Sequence, residues 1–131
     1  MSSILLDTHA FIWMAEDDSK LPLSVKSQIE STENVFVSIV SFWEIALKSQ
    51  KERVFLEIDF NEIEARFALT RFKLLDISIQ DTIRVYNLPF YLKEHRDPFD
   101  RLLISQAINR SLPLASCDKA FDAYPIEKVW A

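Results

Sequence analysis

Apolar positions along the chain fall into two rhythms. Short runs with little polar alternation occur at Ile4-Leu5-Leu6, Val35-Phe36-Val37, residues 72–77 (F-K-L-L-D-I) and residues 112–116, with a possible short fifth at Lys128-Val129-Trp130. Such runs read as strands buried on both faces, as in a parallel sheet. Helical spacing fills the intervals: residues 10–15, 21–31, 41–50, 60–70, 80–88 (stopped by Pro89) and 98–110. Residues 54–58 are ambiguous. Strands alternating with helices predict right-handed crossovers and an α/β fold whose parallel sheet is covered on both sides. In such sheets ligands bind beyond the carboxyl ends of the strands. A length of 131 residues suits one domain, 1–131, with no linker, repeat or low-complexity tract to divide it.

Composition narrows the chemistry. The chain has no glycine, which removes the P-loop and the G-x-G-x-x-G dinucleotide turn together. One cysteine, Cys117, makes neither an internal disulfide nor a zinc site. No basic segment followed by a long apolar run opens the chain and no run approaches a membrane span, so a cytoplasmic setting away from the membrane is expected. A net charge of −5 argues against a nucleic-acid coat protein. It is compatible with an enzyme acting on nucleic acid, because metal-binding acids make the count negative.

Each candidate acid has a structural explanation. Asp7 follows the first strand as a helix N-cap, and Ser41-Phe42-Trp43-Glu44 reads as a capping box. Glu44 also stands four residues before Lys48, a favourable helical pair. Asp97-Pro98-Phe99-Asp100 places Asp97 at the N-cap, Pro98 at N1 and Asp100 at N3. Asp118 caps the turn after the fourth strand. The set has a second meaning. Asp7 and Asp118 end strands, while Glu44 and Asp100 are expected in the first turns of helices, so all four converge on one edge of a parallel sheet. Clustered carboxylates repel unless a cation lies among them. Oxygen ligands without a Cys/His set select Mg²⁺ or Mn²⁺, and such a site suits metal-assisted phosphodiester hydrolysis.

Four stretches carry a family resemblance: Leu5-Leu6-Asp7-Thr8-His9-Ala10-Phe11-Ile12-Trp13, Val37 to Ile45, His95-Arg96-Asp97-Pro98-Phe99-Asp100-Arg101 onward to Ala107, and Leu114-Ala115-Ser116-Cys117-Asp118. Together they resemble the PIN domain, and within it the VapC-type toxins of toxin–antitoxin pairs. The resemblance implies a three-layer α/β/α fold with four to five parallel strands, and Mg²⁺- or Mn²⁺-dependent RNA cleavage. It further implies inhibition by a VapB-type antitoxin, and toxin dimers. It maps Asp7, Glu44, Asp100 and Asp118 onto the family's four acids, Ser116 onto its Ser/Thr, and Asp97 onto a second acidic position whose metal role is weaker. One departure is the stretch from Leu88 to His95, longer than the family's L-P-x-x-H.

Supporting residues keep two readings each. His9 approaches the scissile phosphate or makes a local hydrogen bond. Lys48 and Arg101 contact phosphate or pair with nearby acids. Ser116 holds a water or bonds the backbone. Cys117 reads as a packed small residue. Phe42-Trp43, Phe67 and Phe90-Tyr91 cannot all face inward, which leaves apolar surface for a partner. The competing classes fit less well. An aspartate-nucleophile phosphohydrolase needs D-x-D where the chain has Asp7-Thr8-His9. A receiver module needs an acidic pair after the first strand, although Asp76 imitates its phosphoacceptor.

Overall fold

The computed structural model describes residues 1–52 and 54–131. Strand β1 (Ser3–Leu6) runs through the middle of a parallel sheet formed with β2 (Asn34–Ser38), β3 (Lys73–Leu75), β4 (Leu114–Ala115) and β5 (Lys128–Val129), in the order β3-β2-β1-β4-β5. Side chains alternate across β1: Ile4 and Leu6 enter a core on one face and Leu5 a second core on the other, all fully buried. The first core is closed by α1 (Thr8–Ala15) and α2 (Leu23–Ser31), with Ile45 of α3 (Ile39–Lys51). The second is closed by α6 (Pro98–Arg110) through Leu103, Ile104 and Ala107. The result is the expected three-layer α/β/α arrangement, with five strands.

Several boundaries shift for local reasons. Helix α3 begins two residues before the expected Ser41, because Ser38 is its cap: the Ser38 hydroxyl accepts from Val40 N at 3.0 Å and donates to Gln106 Oε1 at 2.6 Å. The Ser41–Glu44 capping box therefore does not form. Ser41 lies inside the helix and Glu44 in its second turn. The helix expected at 60–70 divides into a 3₁₀ turn, Phe60–Glu62, and α4 (Ile63–Ala68). The third and fourth strands shrink to three and two residues. Residues 54–58 form no regular element.

A genuine capping box starts α5 (Ile79–Asn87). Ser78 Oγ accepts from Asp81 N at 3.1 Å, and Asp81 Oδ2 accepts from Ser78 N at 2.9 Å. Asp81 is fully buried and also takes two bonds from Arg110, at 2.7 and 3.0 Å, clamping α5 to α6. Burial opposes its charge, but the Arg110, Ser78 and Asn109 donors outweigh burial and hold this carboxyl well below the usual range. Without glycine, α6 ends on Ser111 in the left-handed region at φ 51°, a conformation that is strained for residues with a Cβ.

The sheet order reverses at β1. The chain leaves β1 toward β2 and later leaves β4 toward β5, so the carboxyl ends of β1 and β4 border a crevice. Among the described residues no helix is long and apolar enough to cross a membrane.

Candidate active site

The crevice is lined by Asp7, Thr8, His9, Trp13, Glu44, Lys48, Asp97, Asp100, Cys117 and Asp118. All five predicted acids therefore meet, although they come from four separate stretches of chain. Asp7 is pinned from both sides. Its amide donates to Ala115 O across the sheet at 3.0 Å, and its Oδ1 accepts from Ala10 N at 2.8 Å as the cap of α1. Ser116 is fully buried; its hydroxyl bonds the Asp7 carboxyl and accepts from Asp118 N at 3.1 Å. Asp118 itself is exposed and caps the following 3₁₀ turn through Ala120 N at 2.9 Å.

Glu44 is only 3% exposed. Thr8 Oγ1 stands 2.5 Å from Glu44 Oε1 and 3.0 Å from Ser41 Oγ, so its single proton goes to the carboxylate. Glu44 Oε2 accepts from Lys48 Nζ at 2.7 Å. Lys48 is partly buried, which works against its charge, yet the bond and charge of Glu44 hold its pKa above the ordinary lysine value. Asp97 is the cap of α6, accepting from Phe99 N at 2.9 Å and Asp100 N at 3.0 Å, as its place before Pro98 predicts. Asp100 Oδ2 meets His95 Nε2 at 2.9 Å.

These carboxyls are short of counter-charge. Burial raises the Asp7 pKa to about 7, against the pull of its Ala10 and Ser116 bonds, and Asp100 and Glu44 raise it further. Asp100 is raised to about 6, again chiefly by burial, with His95 lowering and Asp97 and Glu44 raising it. A cation among them would relieve both effects. One donor atom each from His95, Asp100 and Asp118 lie within 4.8 Å of one another. Carboxylate oxygens dominate the crevice, and that donor chemistry fits a hard divalent ion.

The supporting residues separate. His9 is exposed at the crevice and tilted against Trp13 at 5.5 Å, its pKa lowered by partial burial of the ring and by Lys48. Lys48 pairs with Glu44 and reaches the crevice as well. Arg101 corrects the expectation: it neither reaches the crevice nor pairs with an acid. One position beyond Asp100 turns it about 100° around the helix. There it is 4% exposed, donating to Leu88 O, to Pro89 O at 3.1 Å and to Tyr124 Oη at 3.2 Å, beneath the Phe90 ring at 4.0 Å. Cys117 is also corrected: it is exposed rather than packed, and burial of its thiol, then Asp7, raises its pKa, so it is no activated thiolate. Of the aromatics, Phe42 and Phe67 interlock with Phe11 against the core, whereas Trp43, Phe90 and Tyr91 are exposed.

A model of the PIN domain family matches residues 4–127. The chain belongs to the PIN domain family. This PIN domain is 25% identical over 119 residues to Ribonuclease VapC22 of Mycobacterium tuberculosis (strain ATCC 25618 / H37Rv), covering 91% of this chain and 89% of that protein. Its fold is similar to that in DNA-bound VapBC from Salmonella typhimurium, with a TM-score of 0.73 at 19% identity over 98% of each chain. It is also similar to VapBC2 from Rickettsia felis bound to a promoter DNA fragment, with a TM-score of 0.72 at 17% identity over 98% of this chain and 99% of that one.

Three residues of this PIN-domain site escaped sequence reasoning. Thr8 sits between two predicted residues, and only the approach of α3 reveals its grip on Glu44. Trp13 reads as an ordinary helix residue. His95 ends the long stretch that departs from the family pattern, yet it reaches Asp100. Residues 89–94 of that stretch are exposed, its start is held by Arg101, and its end brings His95 to Asp100.

Proposed function

We propose that this chain is a metal-dependent endoribonuclease, the toxin of a type II toxin–antitoxin pair. The observation that carries the reading is the convergence of Asp7, Glu44, Asp97, Asp100 and Asp118 on one crevice with Lys48 as the ammonium among them. The ribonuclease name of the similar M. tuberculosis protein supports RNA as the substrate. The toxin–antitoxin complexes sharing the fold support a VapB-type antitoxin as the partner.

Asp7, Glu44, Asp100 and Asp118 would hold the ion, and Asp97, committed to capping, contributes charge beside them. When bound, Mg²⁺ or Mn²⁺ supplies Lewis acidity, lowering the pKa of water and offsetting charge on a phosphodiester. The chain's own residues do the rest. Thr8 and Lys48 hold the two oxygens of Glu44 in one orientation. Ser116 and the Ala10 amide do the same for Asp7. Lys48 is half-exposed, so its ammonium also meets a phosphate entering the crevice. His9, at the crevice, offers a hydrogen bond to substrate.

Water, not the ribose 2′-hydroxyl, is the nucleophile of this chemistry. The products then carry a 5′-phosphate and a 3′-hydroxyl. Metal-stripped protein should cleave RNA when Mg²⁺ or Mn²⁺ is restored and stop when chelator is added. Undiminished cleavage in chelator, or 2′,3′-cyclic phosphate ends, would overturn the reading.

Apolar surface supports the partner side of the proposal. Exposed Leu69 and half-buried Ile63 and Phe67 border a groove between α1 and α4, floored by buried Phe11 and Ile12, that an antitoxin segment would cover, with an arginine of the antitoxin neutralising the acids. Ile79, Ile83 and Tyr86 form an exposed stripe at i, i+4 and i+7 on α5, which supports a toxin homodimer. We read residues 1–131 as one domain working in the cytoplasm.

A further inference from the structure

We propose that Arg101, Tyr124 and His95 form a one-directional hydrogen-bond relay that positions Asp100 and leaves a single one of its oxygens for a cation. The inference rests on the metal-dependent reading above and deepens it. Tyr124 is 4% exposed and its Oη lies 3.2 Å from Arg101 Nη1 and 2.8 Å from His95 Nδ1. A guanidinium only donates, so Tyr124 Oη accepts there and keeps its own proton available for the imidazole. At the other end His95 Nε2 faces Asp100 Oδ2 at 2.9 Å, and a carboxylate only accepts, so Nε2 carries the proton of the neutral ring. His95 Nδ1 then accepts from Tyr124. The direction is thus set by the two ends together, Arg101 as the group that only donates and the Asp100 carboxylate as the group that only accepts.

The environment holds the relay in place. The His95 ring packs against Phe121 at 5.9 Å and edge-on to Tyr124 at 5.5 Å. The same Arg101 guanidinium takes the carbonyls of Leu88 and Pro89, so the long stretch that carries His95 is anchored by the group that polarises it. Asp100 Oδ2 is occupied by His95, and among the described residues no hydrogen bond reaches Oδ1. His95, Tyr124 and Arg101 are positioning residues: they act on the ion through Asp100. Outer partners of this kind typically contribute 10–100-fold in metal affinity or activity.

The chain has two histidines, so long-range ¹H–¹⁵N correlation spectra of the imidazoles resolve both, and His95→Ala assigns them. In metal-free wild-type protein above pH 7, the His95 ring should show the proton on Nε2. Tyr124→Phe should keep the fold, disturb that tautomer, and weaken Mn²⁺ binding roughly tenfold by titration calorimetry. His95→Ala should weaken it at least as much. His95→Gln, which presents an amide N–H near the Nε2 position, should recover part of the loss. RNA cleavage should fall in kcat with KM little changed. A His95 proton on Nδ1 in the wild type, or Mn²⁺ affinity unchanged or tightened in both Tyr124→Phe and His95→Ala, would overturn the relay alone. Wild-type protein that neither binds Mn²⁺ nor cleaves RNA would overturn the nuclease reading and the relay with it.

Discussion

Replacing Asp7 by Asn should make the metal-free protein more stable while destroying its activity. Asp7 is 7% exposed, and burial lifts its carboxyl from 3.8 to about 7. The folded protein holds this proton more tightly than the unfolded chain does, so stability falls as pH rises from about 4 to about 7 and the whole penalty is present above that. A shift of roughly 3 units, at 1.36 kcal/mol per unit, puts the penalty near 4 kcal/mol as an upper figure. Asn removes the charge but keeps the cap on Ala10 N, since Asn and Asp cap helices equally well. It also keeps a polar atom beside Ser116. The gain should be about 2–4 kcal/mol at pH 7.5, or roughly 10 °C in Tm for a chain of this size. It should shrink below about 1 kcal/mol at pH 4. Thermal melts in chelator, from pH 4 to pH 8, measure both numbers. Adding Mn²⁺ should then raise the wild-type Tm and leave Asp7→Asn nearly unmoved. A variant no more stable than wild type at pH 7.5, or a difference that does not change with pH, would refute the claim that Asp7 stores uncompensated charge.

Asp97→Asn should keep the α6 cap, cost well under the ~1 kcal/mol of cap loss to Ala, and retain substantial cleavage. Asp100→Asn should keep the fold but lose Mn²⁺ affinity and cleavage by orders of magnitude, and the reverse pattern in calorimetry and rate would show the roles exchanged. Arg110→Met leaves buried Asp81 without its charge partner and should cost roughly 3 kcal/mol in urea unfolding. Because the Asp81 carboxyl is held low in the folded state, its contribution is present at neutral pH and fades as pH drops below about 4, opposite in sign to Asp7. Ser111→Gly removes left-handed strain at the end of α6 and should add roughly 0.5 kcal/mol, read as a rise in urea midpoint at constant slope.

The fold class was legible because strands buried on both faces leave continuous apolar runs, and Ile4-Leu5-Leu6 and Val35-Phe36-Val37 are such runs. The acids were legible for a related reason. In a parallel sheet the end of each strand and the start of the next helix share an edge, so Asp7 and Asp118 could be placed together from local signals alone, whereas Asp97 and Asp100 begin α6, which follows α5 rather than a strand, and reach that edge through the long stretch before them. Glu44 was placed correctly by the wrong device. The Ser41 box does not exist, and one extra turn of helix, begun at Ser38, carries Glu44 to the same crevice. Cap choice depends on Gln106 receiving the Ser38 hydroxyl from 68 residues away, which no local pattern encodes. Arg101 failed for the same kind of reason. Its charge suggested phosphate, but its direction was decided by the carbonyls of a long stretch, by Tyr124 and by the Phe90 ring. The Tyr124–His95 contact joins residues 29 apart. Local sequence determines which groups end strands and begin helices, because those signals act over three or four residues. Which of those groups become charged, neutral or hidden is decided by desolvation and by partners brought from elsewhere in the chain, and both exist only once the layers have packed.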